Sequence, residues 1–378
     1  MNRRERVIQA VQHSQPDFTP YNFHASASVY ARVRRLYDLP TDLAVAEFVG
    51  NHVVKVGGDF NVNPWVGPSG ATMVPSGGPE GLADDLIEGS LHTDEFGCVW
   101  ARNSGQPYPV SHPMAEELAP LRAYAMPDPY RAGRFDSARR VVQRFSGEVF
   151  VFGKLGMALF ERASTIRGME LLLADMILRP SLVHDLLDRI LYEWNLPIIG
   201  QLLDLGVDGL YLGDDWGSKS TLLFGATRWR EFIKPRLSKC YDMAKQRGVL
   251  VGQHSDGNVL ELLPDLIEIG VDIFNPVDPA AYDPNDVKVA FGDRITLYGG
   301  IDSKKLPFWS PIDVAREVRD RADKLGRGGG YILQSSHTIL DDVPDRNLVA
   351  YIEACHALAG LDTEQQLVKA RAVSGVMS

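Results

Sequence analysis

Two short segments place side chains that bind metals or transfer protons close together in the chain. In Gln253-His254-Ser255-Asp256-Gly257, an imidazole and a carboxylate stand two positions apart. Residues two apart on a strand point to the same side, so His254 and Asp256 are expected to face one cavity. Two histidines and a carboxylate suit zinc or another divalent first-row metal, and His337 provides the second imidazole. We therefore predict His254, Asp256 and His337 as metal ligands. The alternative is that His254 and Asp256 only hydrogen-bond neighbouring loops.

An acidic pair follows another apolar run, in Gly213-Asp214-Asp215-Trp216-Gly217. Neighbouring acids either share a proton, which raises one pKa, or bind a cation. Asp214 or Asp215 is therefore a candidate general base or fourth ligand, and His337 is a candidate for proton transfer. Alternate strand residues face opposite ways, and the sharp turn at Trp216 favours Asp215 for the cavity. The alternative is a helix cap and one solvated acid.

These residues sit at the ends of eight short apolar or β-branched runs that alternate with helical periodicity. This alternation is typical of βαβ units and predicts an α/β fold, a (β/α)8 TIM barrel, with a doubly wound open sheet as the alternative. The predicted strands are Pro20–His24, Val53–Val62, Val149–Lys154, Gly209–Asp214, Leu250–His254, Asp272–Pro276, Ile295–Gly300 and Tyr331–Ser336.

In such a barrel the catalytic groups come from the carboxyl ends of the strands. Polar residues at these ends include Asn22, His24, Asp59, Asn61, Lys154, Asn275, Asp302 and Gln334, besides the residues already named. We predict a substrate pocket there, formed by Asn22, His24, Phe160, Trp216, Asn275 and Asp302. For Trp216 the alternative is packing beneath its loop. Phe160-Glu161-Arg162 is a candidate lining of the cavity, but we favour an internal Glu–Arg pair there.

The pattern predicts one barrel domain over residues 1–360. Residues 64–129 interrupt the rhythm between the second and third strands and are interpreted as an insertion over the barrel mouth. Short extended pieces are expected there at Asp84–Ile87, Leu91–Thr93 and Cys98–Arg102. The tail, residues 361–378, is expected to fray.

Composition excludes several classes of protein. The 378 residues carry a net charge of −10, which argues against a nucleic-acid or anionic-membrane partner. No run of about 18 apolar residues is present, and the charged start lacks a signal-peptide pattern. Three widely spaced cysteines exclude a disulfide framework or a cysteine-rich metal site. We expect a cytoplasmic protein.

Several motifs taken together resemble the uroporphyrinogen decarboxylase superfamily. The likeness covers residues 145–360 well and the first 60 more loosely. The segments that carry it are Val207-Asp208-Gly209, Gly213-Asp214-Asp215-Trp216-Gly217, Phe232-Ile233-Lys234-Pro235, His254-Ser255-Asp256-Gly257, Glu268–Pro276, Leu297-Tyr298-Gly299-Gly300-Ile301-Asp302, Gly329–His337 and Val343–Asn347.

The resemblance implies one of two chemistries on the same barrel. The decarboxylases are cofactor-free, bind a tetrapyrrole, and carry an arginine-rich segment after the first strand. The related methyltransferases use zinc and carry His-x-Cys on the fifth strand and Cys on the eighth. Here Phe23-His24-Ala25-Ser26-Ala27-Ser28 contains no arginine, and the next one is Arg32. The methyltransferase ligand positions hold His254, Asp256 and His337, so the spacing is kept without the sulfurs. A histidine at position 337 also matches the decarboxylases and does not discriminate.

Three hypotheses remain. The leading one is a metal-dependent methyltransferase or demethylase acting on a small molecule, with a divalent metal such as zinc as Lewis acid. The resemblance then implies a corrinoid protein partner or tetrahydrofolate as methyl carrier. A homodimer is one of the oligomeric states that remain open. The second is a cofactor-free decarboxylase of uroporphyrinogen type, in which Asp215 stabilises a cationic ring and His337 transfers the proton. The third is a barrel that binds a corrinoid or small ligand without turnover.

Overall fold

The computed structural model describes residues 1–58, 65–66, 72–73, 91–103, 106–115 and 121–372. Within this part of the chain the strands form two sheets. The strands are β1 (Val53–Val56), β2 (Trp65–Val66), β3 (Thr72–Met73), β4 (Leu91–Thr93), β5 (Val99–Asn103), β6 (Gln106–Ser111), β7 (Phe150–Leu155), β8 (Gly209–Gly213), β9 (Leu250–His254), β10 (Ile273–Val277), β11 (Thr296–Ile301) and β12 (Tyr331–Ser335).

The larger sheet is parallel and follows the order of the chain, β1-β7-β8-β9-β10-β11-β12. Seven of the eight predicted strands are therefore present, and the bounds of β9 agree with the prediction at both ends. The predicted strand 53–62 ends at Val56, and Asp59 and Asn61 lie outside the described residues. A curled parallel sheet surrounded by helices is a TIM-like α/β architecture.

The predicted first strand, Pro20–His24, contacts both edges of this sheet. Tyr21 forms a parallel bridge with Leu333 of β12, and its carbonyl accepts a hydrogen bond from the His52 N–H, next to β1, at 3.0 Å. The Asn51 side chain bonds both the N–H and the carbonyl of Phe23. This segment makes isolated bridges rather than a continuous ladder, because a side chain substitutes for part of the backbone pairing.

Aromatic side chains fill the inner face of the larger sheet. Phe150, Phe152, Tyr211 and Tyr298 are buried there together with aliphatic residues of the neighbouring strands. Alternate residues of a strand point to the same face, so polar residues further along these strands face the same interior nearer the carboxyl ends. Val7 and Val11, from the first helix of the chain, pack against this cluster and cover the opposite end. The polar residues therefore lie at the end of the sheet away from α1.

Helices connect the parallel strands and cover their outer face. They are α1 (Arg3–Val11), α2 (Ala27–Tyr37), α3 (Asp42–Val49), α4 (Asp136–Phe145), α5 (Phe160–Arg167), α6 (Met169–Leu178), α7 (Pro180–Arg189), α8 (Leu196–Asp204), α9 (Gly225–Arg228), α10 (Lys234–Lys245), α11 (Leu263–Glu268), α12 (Pro284–Phe291), α13 (Pro311–Leu325), α14 (Asp345–Ala359) and α15 (Thr363–Ala372). Two π-helical turns, Ile190–Asn195 and Trp229–Ile233, join α7 to α8 and α9 to α10. None of the described helices combines the length and hydrophobicity needed to cross a bilayer.

The predicted insertion contains the smaller, antiparallel sheet, in the order β3-β2-β4-β5-β6. The extended pieces predicted at Leu91–Thr93 and Cys98–Arg102 correspond to β4 and β5, and Asp84–Ile87 lies outside the described residues. The described part of the insertion packs against α5. The Cys98 thiol donates to the Thr165 carbonyl at 2.8 Å, and Arg162 lies 3.5 Å from Asp94.

The tail differs from the expectation that it frays after residue 360. Residues 363–372 form α15, which packs against α3. Ala370 is fully buried and Gln366 nearly so, and the Arg371 guanidinium donates to the Tyr37 carbonyl at 3.1 Å. Gln366 and Ala370 are the buried side chains of this helix, although its composition is dominated by charged and polar residues.

Candidate metal centre

The loops that follow β8 and β9 pack backbone against backbone, and this contact places the acidic residues of the two loops side by side. A Cβ on Gly257, whose φ is +81°, would lie 2.4 Å from the carbonyl carbon of Gly217. Such an approach is open only to glycine. The Asp256 N–H then donates to Asp215 Oδ1 at 2.8 Å, and the Trp216 N–H donates to Ser255 Oγ at 3.0 Å.

Three side chains converge at this contact. His254 Nε2 lies 3.8 Å from Asp215 Oδ1 and 3.6 Å from Asp256 Oδ1. One ligand atom from each of these residues lies within 4.8 Å of the others. Asp256 Oδ1 is buried and has no hydrogen-bond donor among the described residues. The structure thus brings together two of the three predicted ligands, His254 and Asp256, and adds Asp215 to them.

His337, the third predicted ligand, lies on the other side of Asp256. Its Nε2 is 3.0 Å from Asp256 Oδ2, a hydrogen-bonding distance, whereas Oδ1 of the same carboxylate faces His254. This hydrogen bond raises the pKa of His337. Burial acts to raise the pKa of Asp256, but the His337 hydrogen bond and the two imidazoles lower it overall. His337 is placed to orient Asp256.

His254 is in turn held by Asn275, which sequence analysis assigned to substrate binding. His254 Nδ1 and Asn275 Oδ1 are 2.7 Å apart. The Tyr211 hydroxyl donates to the same Oδ1 at 2.5 Å, and Asn275 Nδ2 donates to the Tyr298 carbonyl at 3.0 Å. Asn275 therefore contacts His254, a metal-ligand candidate.

Asp214 and Asp215 have separate environments. The Asp214 carboxylate is fully buried and accepts from the N–H groups of Leu159, Phe160 and Glu161 and from Trp216 Nε1, at 2.7–3.1 Å. It caps the amino end of α5, where backbone N–H groups lack helical partners. Burial raises its pKa to about 6 in spite of these donors. Asp215 is more exposed, and burial raises its pKa as well.

Glu161 lies in this site, although the sequence favoured a pair with Arg162 for it over a position lining the cavity. Its carboxyl accepts from the Asp215 N–H, and burial together with the charges of Asp215 and Asp214 raises its pKa well above the usual range. Arg162 lies beside Asp94 of the insertion, so the expected internal Glu–Arg pair is not formed. The signal in the sequence was position, because Glu161 stands in the first turn of the helix that follows β7.

The remaining predicted substrate-binding residues occupy several environments. Trp216 is fully buried and packs against Trp229. This agrees with the alternative stated for Trp216, in which the side chain packs beneath its loop. Phe160 is buried against Phe224. The buried Asn22 amide donates to Gln334, and the buried Asp302 carboxylate accepts from the N–H groups of Lys304 and Lys305. His24 is half-buried, with Nε2 3.1 Å from Thr338 Oγ1.

Comparisons with known proteins agree with this architecture. The family profile described as "Uroporphyrinogen decarboxylase (URO-D)" matches residues 91–358. The uroporphyrinogen decarboxylase of Sodalis glossinidius is 27% identical over 268 residues, which cover 66% of this chain and 70% of that protein. The one from Serratia proteamaculans is 28% identical over 189 residues, and the chain spans about half of its length (51%). A solved methyltransferase from Methanosarcina mazei has the same fold, with a TM-score of 0.65, 17% identity, and coverage of 95% and 99% of the two chains.

The contact between the two loops yields a first prediction. Gly257→Ala adds both the strain of a positive φ and a collision with the Gly217 backbone. Gly206→Ala is the matched control, because Gly206 has a φ of +79° and no atom within 4 Å of an added Cβ. We expect Gly257→Ala to lose about 1–3 kcal/mol more free energy of unfolding than Gly206→Ala, the usual cost of overpacking. Denaturant unfolding measures both, and equal losses would contradict the backbone contact.

The acidic pair yields a second prediction. Asp214→Asn turns an amide N–H2 toward N–H donors in a buried position, so we expect a loss of about 1–3 kcal/mol or more in unfolding free energy. Asp215→Asn is the control, because that side chain is more exposed and accepts one backbone hydrogen bond. It should change stability by much less. Thermal and denaturant unfolding of the two variants compare them, and equal stability losses would show that the two environments are not distinct.

Proposed function

The chain belongs to the uroporphyrinogen decarboxylase family, and we propose that within this family it is a metal-dependent methyltransferase or demethylase acting on a small molecule. The observation that carries the proposal is the compact group of Asp215, His254 and Asp256. In the proposal this group lies at the mouth of a closed eight-membered barrel, in which segment 20–25 occupies the place of the remaining strand.

The residues present fit a divalent cation. Asp256 Oδ1 is a buried carboxylate oxygen without a hydrogen-bond donor among the described residues, and such an oxygen is costly to bury. A carboxylate oxygen of Asp215 and a ring nitrogen of His254 lie within 4.8 Å, and both atom types are metal ligands. A cation would satisfy all three. We propose that His254, Asp256 and Asp215 hold the ion, and that His337 orients Asp256 from outside instead of acting as a ligand.

A bound divalent ion would supply Lewis acidity, polarising a substrate oxygen or nitrogen or lowering the pKa of an acceptor. The protein residues would position the ligands of the ion and the elements that carry them. His337 holds a proton at Nε2 against Asp256 Oδ2 and thereby fixes that carboxylate. Asp215 is a ligand of the ion in this arrangement, and the role of general base is the alternative assignment for the same carboxylate. Asp214 contributes by holding α5 and the loop in place.

The arginine positions argue against a tetrapyrrole substrate. A polycarboxylate needs cationic partners, and Arg32 is the first arginine after segment 20–25. Its guanidinium donates to the Asp345 carboxylate and to the carbonyls of Asp341 and Val343. These partners belong to α14 and the segment before it, so the Arg32 guanidinium links α2 to that part of the chain.

A cofactor-free decarboxylase is the second candidate function. It is favoured by the names of the curated relatives and by the raised pKa of His337, which suits proton delivery. The common fold does not choose between the candidates, since the methyltransferase from Methanosarcina mazei has it too. In the leading proposal the methyl group is carried by a corrinoid protein or by tetrahydrofolate. The third candidate, a binding barrel without turnover, predicts tight corrinoid binding with no methyl transfer.

Metal content tests the leading proposal. We expect protein purified without chelator to hold about one divalent ion, and His254→Ala and Asp256→Asn to abolish retention. His337→Ala should weaken metal affinity by about 10–100-fold, the usual effect of losing a group that orients a ligand. Because no thiolate is present in the proposed site, nickel, cobalt or manganese should compete with zinc.

The matched control is His184→Ala. His184 also lies beside a carboxylate, 3.6 Å from Glu231, but on the outer helix α7. Elemental analysis and competition with a chromogenic chelator measure content and affinity. Equal metal content in the wild type, in the control and in both ligand variants would remove the metal site from the proposal.

Substrate choice tests the second candidate. Since Arg32 is bound to α14 and no other arginine lies between residues 20 and 32, we expect no turnover of uroporphyrinogen under anaerobic conditions. A uroporphyrinogen decarboxylase from a curated relative, assayed in parallel, shows that the substrate is competent. Formation of coproporphyrinogen at a rate comparable to that enzyme would establish the decarboxylase instead.

A further inference from the structure

We propose that Asn275 is a positioning residue that fixes the tautomer of His254. Together with Tyr211 and the Tyr298 carbonyl, it keeps the proton of the neutral imidazole on Nδ1 and leaves Nε2 bare toward Asp215 and Asp256. The proposal about the tautomer stands on hydrogen bonds alone. Its consequence for metal affinity rests on the proposed function.

The direction of the Asn275 amide follows from its neighbours. The Tyr298 backbone carbonyl can only accept a hydrogen bond, so the side-chain atom 3.0 Å from it must be Nδ2. Oδ1 therefore faces the other way, toward Tyr211 and His254. An amide oxygen can only accept, so the Tyr211 hydroxyl donates to it at 2.5 Å and His254 Nδ1 donates to it at 2.7 Å. The neutral His254 ring then has no hydrogen on Nε2.

The three supporting groups are rigid. Tyr211, Asn275 and Tyr298 lie on β8, β10 and β11, and each is at most 2% exposed. The parallel register pairs Asn275 with His254 directly. The Lys55 ammonium lies 4.2 Å from the centre of the Tyr211 ring and packs against the face of that ring. A reversed amide would set Nδ2 against two donors and Oδ1 against a carbonyl, so the alternative orientation is disfavoured.

The tautomer decides what the acidic group can bind. A neutral His254 with its proton on Nε2 would donate toward Asp215 or Asp256, 3.8 and 3.6 Å away, and would occupy the position of a cation. With the proton held on Nδ1, three lone-pair-bearing atoms face one another, and a positive ion is the partner that satisfies them. Asn275 thereby converts a hydrogen-bonded cluster into a cation site.

The experiment combines a tautomer measurement with a metal measurement. Protein containing 15N-labelled histidine is studied without metal over a pH series, and the two nitrogen shifts of His254 in its neutral form report which nitrogen carries the proton. The shifts are assigned by comparison with His254→Ala. We expect the Nδ1–H form in the wild type and a shift toward the Nε2–H form in Asn275→Leu. Affinity for cobalt(II) should fall about 10–100-fold in the same variant.

Two variants keep the test sharp. Asn275→Asp retains an oxygen that can accept from His254 Nδ1, so it should keep the Nδ1–H form. Tyr211→Phe removes the hydroxyl that donates to Asn275 Oδ1 but leaves Asn275 in place, so it should keep the Nδ1–H form as well. Asn347→Leu is the control for loss of a buried asparagine, because Asn347 is fully buried on α14 and donates to the carbonyls of Leu306 and Trp309. Circular dichroism establishes that each variant is folded.

The outcomes separate the two proposals. An unchanged Nδ1–H form in Asn275→Leu, or an Nε2–H form in the wild type, would overturn the role of Asn275. Loss of the Nδ1–H form in Asn275→Leu with its retention in Asn275→Asp supports that role. If the wild type shows the Nδ1–H form and still fails to bind cobalt(II), the metal proposal fails while the positioning role stands.

Discussion

The Asp214 carboxylate is the interaction on which the arrangement of the site depends. It is fully buried at the end of β8, and it accepts hydrogen bonds from three consecutive N–H groups at the start of α5 and from the Trp216 indole. One side chain thereby joins a strand, the helix that follows the neighbouring strand, and the loop over the mouth. Because the Asp214 side chain points toward α5 to make these bonds, its neighbour Asp215 points the other way, toward the loop after β9, where it accepts from the Asp256 N–H. Glu161, in the first turn of α5, is brought beside Asp215 by the same contact.

This arrangement concentrates four carboxyl groups in a small volume, and each is stabilised differently. Asp214 has four donors, and Glu161 has a pKa raised well above its usual range, which favours its neutral form. Asp256 has an imidazole at Oδ2. Asp256 Oδ1 and Asp215 face His254 across distances too long for strong hydrogen bonds. Asp256 Oδ1 is thus left without a hydrogen-bond donor among the described residues, and the proposed cation would satisfy it.

Local sequence patterns were sufficient for much of the fold. The run at 250–254 is apolar and ends at a histidine, so the strand and the side of the sheet that its last residue faces followed from periodicity. Residues 20–24 were predicted as a full strand, but the Asn51 side chain replaces part of the pairing of this segment, and such a substitution leaves no periodic signal. Arg162 was expected to pair with Glu161, its neighbour in sequence, whereas its acidic partner Asp94 comes from the distant insertion. Asp215, and not His337, joins His254 and Asp256 in the group of possible ligands. This depends on the distances between loops, which the spacing of residues along the chain does not determine.

The place of His337 follows from the chemistry of the residue at position 256. The resemblance to the methyltransferases implies a cysteine there, and a thiolate presents a single sulfur. A carboxylate presents two oxygens that can be used separately. Here Oδ1 faces His254 and Oδ2 accepts a hydrogen bond from His337, so one residue can serve both as a ligand and as the acceptor for an outer imidazole. With its nitrogen engaged by Oδ2, His337 is displaced from the inner group, and Asp215 from the neighbouring loop completes that group instead. In the proposed metal site, a carboxylate in place of a thiolate at position 256 would therefore alter which surrounding side chains can reach an ion, and a ligand set of oxygen and nitrogen atoms alone would be less selective for zinc.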